Sequence, residues 1–265
     1  MALSLDPVFQ GVVARVMQDW PEAQVNMLRE RLVVVVALPK SSSRAFTKAC
    51  AHLLPGHLQD RHAKPRQAGW QWGLARSIPI NLSLLLDPGM QGIYCTHARY
   101  SNVAGALLRE LGIKVIVIFR NLLDHLVALG CHWRGQPDML KRYIEAGMKR
   151  MPTAIGHADP RKLLAAHTID ESVRHLIAVG HLFESLSFVA EWLMFAAESD
   201  SLALSMEDIH SGPLLYFGSV ANYCGARDDS QALDLAVQEY LADFERARAS
   251  ADRAKYPAGW TGSPG

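Results

Sequence analysis

The sequence predicts an α/β fold with a central parallel β-sheet flanked by helices. Two segments, Leu32–Leu38 and Lys114–Phe119, show no alternation of polar and apolar residues. Unbroken apolar runs of this length are typical of strands that are buried on both faces of a parallel sheet. Each run is followed by a short polar turn and then by an amphipathic segment. This order of strand, turn and helix is the repeating unit of α/β domains.

Length and composition indicate an ordinary soluble globular protein. The chain has 265 residues, of which 49% are hydrophobic and 20% are charged. We expect one domain covering residues 1–265, because that length suits a single large α/β core. The net charge of +1 provides no basic surface for nucleic acid or for an anionic membrane, so neither is an expected partner.

Cysteine usage and hydropathy bear on the compartment. The four cysteines, Cys50, Cys95, Cys131 and Cys224, are far apart and form no C-x-x-C pair, so neither a zinc site nor a disulfide framework is indicated. No basic leader precedes an apolar core at the N-terminus, and no window reaches the roughly 18 apolar residues of a membrane-spanning helix. The sequence therefore predicts a reduced, cytoplasmic protein that needs no metal.

The turn after the first apolar run is the first candidate anion site. Pro39 ends strand pairing and Lys40 supplies a cation, while Ser41, Ser42 and Ser43 supply hydroxyls and candidate N-caps for a helix over Arg44–Leu54. Backbone N–H groups at a helix N-terminus, beside a lysine and hydroxyls, bind phosphate or sulfate. The turn is not the nucleotide-triphosphate loop G-x-x-x-x-G-K-[ST], because its glycines are absent and its lysine comes first.

A second cation occupies the equivalent position after the second apolar run. That run ends at Arg120, and Asn121 with Asp124 forms a pair like a capping box at the start of a helix over Leu122–Trp133. Arg120 and Lys40 therefore both follow a buried strand and precede a helix. Ligands of open parallel sheets bind at that edge.

Further elements complete the predicted order. We expect a short strand over Gly92–His97, and a long apolar helix over Asp170–Glu198 that is broken at Gly180. A third strand is expected over Leu202–Met206, and Glu207 and Asp208 are expected to cap or bond to loops near the site. A helix is predicted over Tyr100–Leu111, and amphipathic helices are predicted over Pro213–Tyr223 and Ser230–Ala251.

Taken in order, these motifs resemble the sulfotransferases that use 3′-phosphoadenosine 5′-phosphosulfate. Pro39–Ser43 resembles the family's P-K-S-G-[ST] loop, and Thr96-His97 resembles its K-T-H segment. Ile118–Asp124 resembles the R-N-P-x-D stretch, and Leu204–Pro213 resembles the segment that contains Y-E-D-L. The resemblance implies a fold like that of the P-loop NTPases and a sulfuryl donor as co-substrate, with no metal.

The resemblance also implies roles for individual residues. Lys40 would stabilise the leaving oxygen, His97 would be the catalytic base, and Arg120 would grip the 3′-phosphate. An imidazole with an ordinary pKa near 6.5 suits proton removal from a hydroxyl at neutral pH. The residues that the resemblance assigns to donor binding are Lys40, Ser41, Ser42, Ser43, Arg44, Ala45, Arg120 and, in the C-terminal tail, Arg253.

Five positions depart from the family's pattern. Ser42 replaces the loop glycine, Arg44 the second threonine and Ala45 the tryptophan, while Cys95 replaces the lysine before Thr96, and Ala128 the serine that joins the arginine. The departures at Ser42, Arg44, Ala45 and Ala128 motivate an alternative: a degenerate sulfotransferase-like protein that binds nucleotide without turnover. A nucleotide-dependent kinase-like enzyme is a further alternative, disfavoured by the missing glycine-lysine-serine order.

The acceptor is expected to be a small molecule or a glycan that offers a hydroxyl or an amine. We expect its pocket to be built from residues 56–88 and from the loops around residues 135–167, whose shape cannot be inferred from composition. A homodimer is left open by the sequence.

Overall fold

A four-stranded parallel sheet forms the centre of the structure. The computed structural model describes residues 22–54, 92–134, 166–226 and 229–254, together with residues 11, 14–15, 18, 138 and 140–141. In these ranges the strands are β1 (Leu32–Ala37), β2 (Gly92–Thr96), β3 (Lys114–Phe119) and β4 (Leu202–Ser205). Their order is β2-β1-β3-β4, and every neighbouring pair is parallel. The predicted α/β class and parallel sheet are confirmed.

Helices cover both faces of this sheet. The described helices are α1 (Glu22–Arg31), α2 (Ser43–Leu53), α3 (Asn102–Glu110), α4 (Leu122–Arg134), α5 (Ile169–Ala178), α6 (His181–Glu198), α7 (Met206–Ser211), α8 (Pro213–Cys224) and α9 (Ser230–Ala254). The bounds of α2–α6, α8 and α9 agree with the predicted ones to within a few residues, whereas α1 and α7 were not predicted.

Strand β1 is the centre of the core, because its side chains alternate between two apolar clusters. Val33 and Val35 pack with α2, α8 and α9 on one face, whereas Val34 and Val36 pack with α3 and α6 on the other. All of β1 is buried. Burying each valine contributes on the order of 1.5–3 kcal/mol, which explains why this strand carries no polar residue.

Trp192 of α6 fixes the chain where it leaves β2. The indole is fully buried and its Nε1–H donates to the carbonyl oxygen of Ala98 at 3.0 Å. The Tyr100 ring meets it edge-on, with 5.3 Å between the ring centroids. Since Ala98 directly follows His97, this contact also restrains the segment that carries the predicted base.

The predicted break at Gly180 is confirmed. Helix α5 ends at Ala178, α6 begins at His181, and Gly180 between them has a φ of 88°. The two helices are bent by 69° at this break. No single helix in the described ranges is long and apolar enough to cross a membrane, although α5 and α6 taken together meet the length and composition criteria.

Two glycine substitutions test the backbone at the break. Gly180→Ala should lower the free energy of unfolding by about 1–2 kcal/mol, because an L-residue is strained at positive φ. Gly218→Ala in α8 is the control, since an added Cβ would meet nothing within 4 Å. We expect that control to be stabilised by about 0.5–1 kcal/mol, because alanine favours a helix interior. Urea denaturation measures both, and shifts in the same direction would contradict this account.

Candidate functional site

Strand register brings the predicted site residues to one edge of the sheet. Val36 of β1 pairs with Thr96 of β2, and Ala37 pairs with Ile118 of β3. The residues that follow these strands therefore lie side by side at the carboxyl edge, where parallel sheets bind ligands. The turn after β1 lies between His97 on one side and Arg120 on the other.

The turn from Pro39 to Ser42, here called the anion loop, has an unusual backbone. Lys40 has a φ of 65° and Ser42 a φ of 54°, and both lie in the left-handed region. Such a conformation costs of order 1–3 kcal/mol for a non-glycine residue. Left-handed and right-handed residues in succession form a concave array of N–H groups that suits an anion. The conformation of Ser42 explains why a glycine is suited to this position.

Four successive carbonyl groups, here called the loop carbonyls, are held by hydrogen bonds. The donors are the His97 ring to Ala37 O (2.6 Å), Ser41 Oγ to Leu38 O (2.5 Å), the His125 ring to Pro39 O (2.8 Å) and Arg120 Nη1 to Lys40 O (3.1 Å). Because a peptide unit is planar, each bond fixes the orientation of a whole peptide plane. The shape of the loop is therefore set by side chains that converge on it.

Helix α2 begins without a side-chain cap, so the predicted serine N-caps are wrong. Ser42 occupies the N-cap position, but its side chain makes no capping bond, and its Oγ lies 3.4 Å from Met206 Sδ. The reason is its left-handed backbone, since a capping serine normally has an extended one. The first turn has no acidic residue and carries the exposed Arg44. Uncapped N–H groups, the helix dipole and this cation all favour an anion at this end.

The geometry of His97 identifies its basic nitrogen. A carbonyl oxygen can only accept, so the bond to Ala37 O requires the proton on Nδ1 and leaves Nε2 as the base in the neutral ring. Burial lowers the pKa of His97 below its usual 6.5, and the Lys40 ammonium lowers it further, against the opposing effect of the bond to Ala37. The imidazole is therefore neutral at neutral pH.

Arg120 donates a hydrogen bond to the anion loop through Nη1, and its Nε is a further N–H donor. Its Nη1 holds the carbonyl of Lys40, and its Nε lies 3.9 Å from Glu207 Oε1. This Nε is buried and has no hydrogen-bond partner within the described part of the chain. A buried donor without a partner is costly, and an anionic ligand beside the guanidinium would offset that cost.

The capping pair predicted at the start of α4 needs a correction. Asn121 Oδ1 accepts from the N–H groups of Leu123 (3.0 Å) and Asp124 (3.4 Å), as an N-cap should. The N–H of Asn121, however, donates to Glu207 Oε1 at 3.1 Å and not to Asp124. The strand pairing of β3 with β4 brings Glu207 to this position. The expectation that Glu207 bonds to a loop near the site is confirmed.

The other predicted donor-binding residues are less accessible or lie outside the described residues. Ser43 and Ala45 are buried in the first turn of α2, and Ala45 belongs to the apolar core. Arg253 falls in the last turn of α9, but its side chain lies outside the described residues. The predicted acceptor segment 56–88 lies outside them too, as does most of 135–167. Their roles stay predictions.

Sequence reasoning missed His125. This residue follows Asp124 on the buried side of α4, among apolar neighbours, where a histidine usually indicates only a core position. Burial lowers the pKa of His125 to about 4, and the charges of Arg120, His97 and Lys40 act in the same direction, against the opposing effect of the bond to Pro39. The ring is thus a neutral donor at the loop.

Comparison with known proteins identifies the fold. No protein-family model matches the chain, and no curated protein matches it in sequence. The crystal structure of mouse sulfotransferase SULT7A1 complexed with PAP matches it with a TM-score of 0.51 and 15% sequence identity, over 86% of this chain and 69% of that one. The chain has a sulfotransferase-like fold. The identity is too low for the likeness to extend beyond the fold of the sulfotransferase.

In the described ranges, no three histidine, cysteine, aspartate or glutamate side chains are grouped so as to hold a metal ion.

The strain in the anion loop can be measured by restoring glycine. Ser42→Gly should raise the free energy of unfolding by about 1 kcal/mol, because glycine adopts positive φ without a steric cost. The matched control is Ser219→Gly in α8, which should lower it by about 0.5 kcal/mol, because glycine is a poor helix residue. Both values come from urea denaturation. A loss of stability in Ser42→Gly would show that the loop is not strained at this residue.

Proposed function

We propose that this protein transfers a sulfuryl group from 3′-phosphoadenosine 5′-phosphosulfate to a hydroxyl or amine of a small-molecule or glycan acceptor. The observation that supports this most directly is that His97 and Arg120 lie on either side of the anion loop, which contains Lys40, at the carboxyl edge of the sheet. The sulfotransferase-like fold supports the same reading, since the mouse neighbour was crystallised with PAP.

In this proposal the anion loop holds the 5′-phosphosulfate. The N–H groups at the start of α2 point toward the phosphate oxygens, and Lys40 lies beside the bridging oxygen. Arg120 binds the 3′-phosphate through the part of its guanidinium that is not bound to Lys40 O. Ser41 contributes by holding the shape of the loop, because its hydroxyl and its N–H are both bonded to Leu38 O.

His97 acts on the acceptor. Nε2 takes the proton of the acceptor hydroxyl as the acceptor oxygen bonds to sulfur, and the bond between sulfur and the bridging oxygen breaks. The transition state is loose and in line, by analogy with phosphoryl transfer, so positioning and neutralisation of charge carry the catalysis. Lys40 stabilises the negative charge that builds on the departing adenosine bisphosphate.

The reading of a degenerate protein without turnover is weakened by the backbone of Ser42. The substitution of serine for glycine is one of its motives, yet Ser42 adopts the left-handed conformation that a glycine would adopt. This backbone supports the proposal that the loop binds the donor. We further propose that the enzyme works in the cytoplasm without a metal, and that neither nucleic acid nor a membrane is its partner.

Nucleotide selectivity tests the donor. Calorimetric titration should show that adenosine 3′,5′-bisphosphate binds about ten- to a hundred-fold more tightly than adenosine 5′-monophosphate, because a charge-assisted contact to the 3′-phosphate contributes about 1.5–3 kcal/mol. Arg120→Ala should reduce this ratio to about one. Both affinities should also fall, since Arg120 holds Lys40 O.

Arg174→Ala is the control for this titration, because Arg174 pairs with Asp170 on the exposed surface of α5. Its selectivity should equal that of the wild type. Equal binding of the two nucleotides by the wild type would reject the sulfuryl donor, and tight magnesium-dependent binding of ATP would favour the kinase-like alternative.

Removal of the proposed base tests the reaction. His97→Ala should slow the transfer of labelled sulfate to a hydroxyl acceptor by about a hundred- to ten-thousand-fold, which is the usual cost of losing a general base. Because burial lowers the pKa of His97 in the free protein, the wild-type kcat/KM for the donor should decline only below pH 6.5 as the imidazole takes up a proton. Activity of His97→Ala within a few-fold of wild type would remove His97 from the mechanism.

A further inference from the structure

One donor to the loop carbonyls, His125, has no part in the chemistry proposed above. Its side chain is only 2% exposed, so its ring contacts the anion loop from the interior of the protein. Nδ1 donates to the carbonyl oxygen of Pro39 at 2.8 Å. Placing an imidazole in an apolar interior costs free energy unless its polar atoms are bonded. An apolar side chain would fill this position without that cost, so packing alone does not explain a histidine here.

The peptide plane that His125 holds is the one that sets the φ of Lys40. That angle describes how the Pro39–Lys40 peptide is turned relative to the rest of Lys40. With the oxygen of this plane bonded to His125, the N–H of Lys40 in the same trans peptide is directed to the opposite side. The left-handed φ of 65° at Lys40 is therefore the conformation that the bond from His125 secures.

Proline strengthens this effect. Pro39 has a fixed φ and no N–H, so its carbonyl is the group through which a neighbouring side chain can hold the start of the loop. Arg120 holds the next plane through Lys40 O. The two donors come from the end of β3 and from the first turns of α4, which are consecutive in sequence. One rigid strand–helix junction thus fixes two successive peptide planes.

We propose that His125 is a positioning residue that holds Lys40 in its left-handed conformation and so presents the anion loop to the donor. The hydrogen bond from His125 stabilises a positive φ in a loop that has no glycine, the residue that adopts positive φ most readily. The ligand in this inference rests on the proposed function, whereas the effect of His125 on the loop does not.

Two variants separate hydrogen bonding from packing. His125→Asn retains a donor close to the position of Nδ1, and His125→Leu fills a similar volume without a donor. Leu126→Ala is the matched control, because Leu126 is fully buried one residue further along α4. Leu126 packs in an apolar cluster separate from the two clusters that contain β1. This control should destabilise the same helix without touching Pro39.

The first measurement is amide hydrogen exchange of Leu38 and Ser41 by NMR, with no ligand added. Both amides are hydrogen-bonded in the loop region, to Ile118 O and Leu38 O. We expect exchange about tenfold faster in His125→Leu, since loss of one hydrogen bond is worth about a factor of ten in the opening equilibrium. Exchange should be within about threefold of wild type in His125→Asn and close to wild type in Leu126→Ala. Equal exchange in His125→Leu and Leu126→Ala would overturn the inference.

The second measurement is the affinity for adenosine 3′,5′-bisphosphate. It should fall about tenfold in His125→Leu and recover in His125→Asn, in parallel with exchange. If the wild type binds the bisphosphate and His125→Leu binds it equally well, the positioning role is wrong. If the wild type does not bind it, the proposed function fails, and the exchange measurement still decides the role of His125.

Discussion

Parallel pairing of β1 with a strand on each side is the constraint on which the site depends. Because all three strands run in the same direction, the segments that follow them meet at one edge. The register then decides which residues meet: His97 comes opposite Ala37, and Arg120 opposite the anion loop. A slip of one residue would turn each side chain to the other face of the sheet. The site is thus built by backbone pairing deep in the core, remote from any ligand.

Local sequence signals were sufficient for most of the fold. The unbroken apolar runs identified β1 and β3 because burial on both faces excludes polar residues, and Gly180 identified the break between α5 and α6 because glycine favours positive φ. The positions of Lys40, His97 and Arg120 at the sheet edge were predicted for the same reason: each follows a strand. Whether these residues act as the resemblance implies lies beyond what local signals can decide.

What the sequence could not indicate are contacts between distant segments. His125 and Pro39 are separated by 86 residues, as are Asn121 and Glu207. The secondary-structure propensity of a histidine or a glutamate does not indicate which distant residue it will contact. The serine N-caps failed for a related reason. Capping propensity assumes an extended backbone, and at Ser42 the surrounding loop imposes a left-handed one.

The electrostatics of the site link the anion loop to the base. Lys40, Arg120 and Arg44 bring positive charge to a region where the pKa of His97 is already lowered by burial. An anion bound beside Lys40 would offset the effect of that charge and raise the pKa of the imidazole. Under the proposed function, the proton affinity of Nε2 would then increase when the donor is in place, so the proposed base would be strengthened when it is needed.

The bonds to the four loop carbonyls have a consequence for binding energetics. A glycine-rich loop that is loose in the free protein loses conformational entropy when it closes on a ligand, and the observed affinity is reduced accordingly. Here the ordering is completed when the chain folds, since the donors belong to the protein itself. If the loop binds a phosphorylated ligand as proposed, little further ordering is required on binding, and selectivity depends on shape and charge more than on adaptation of the loop.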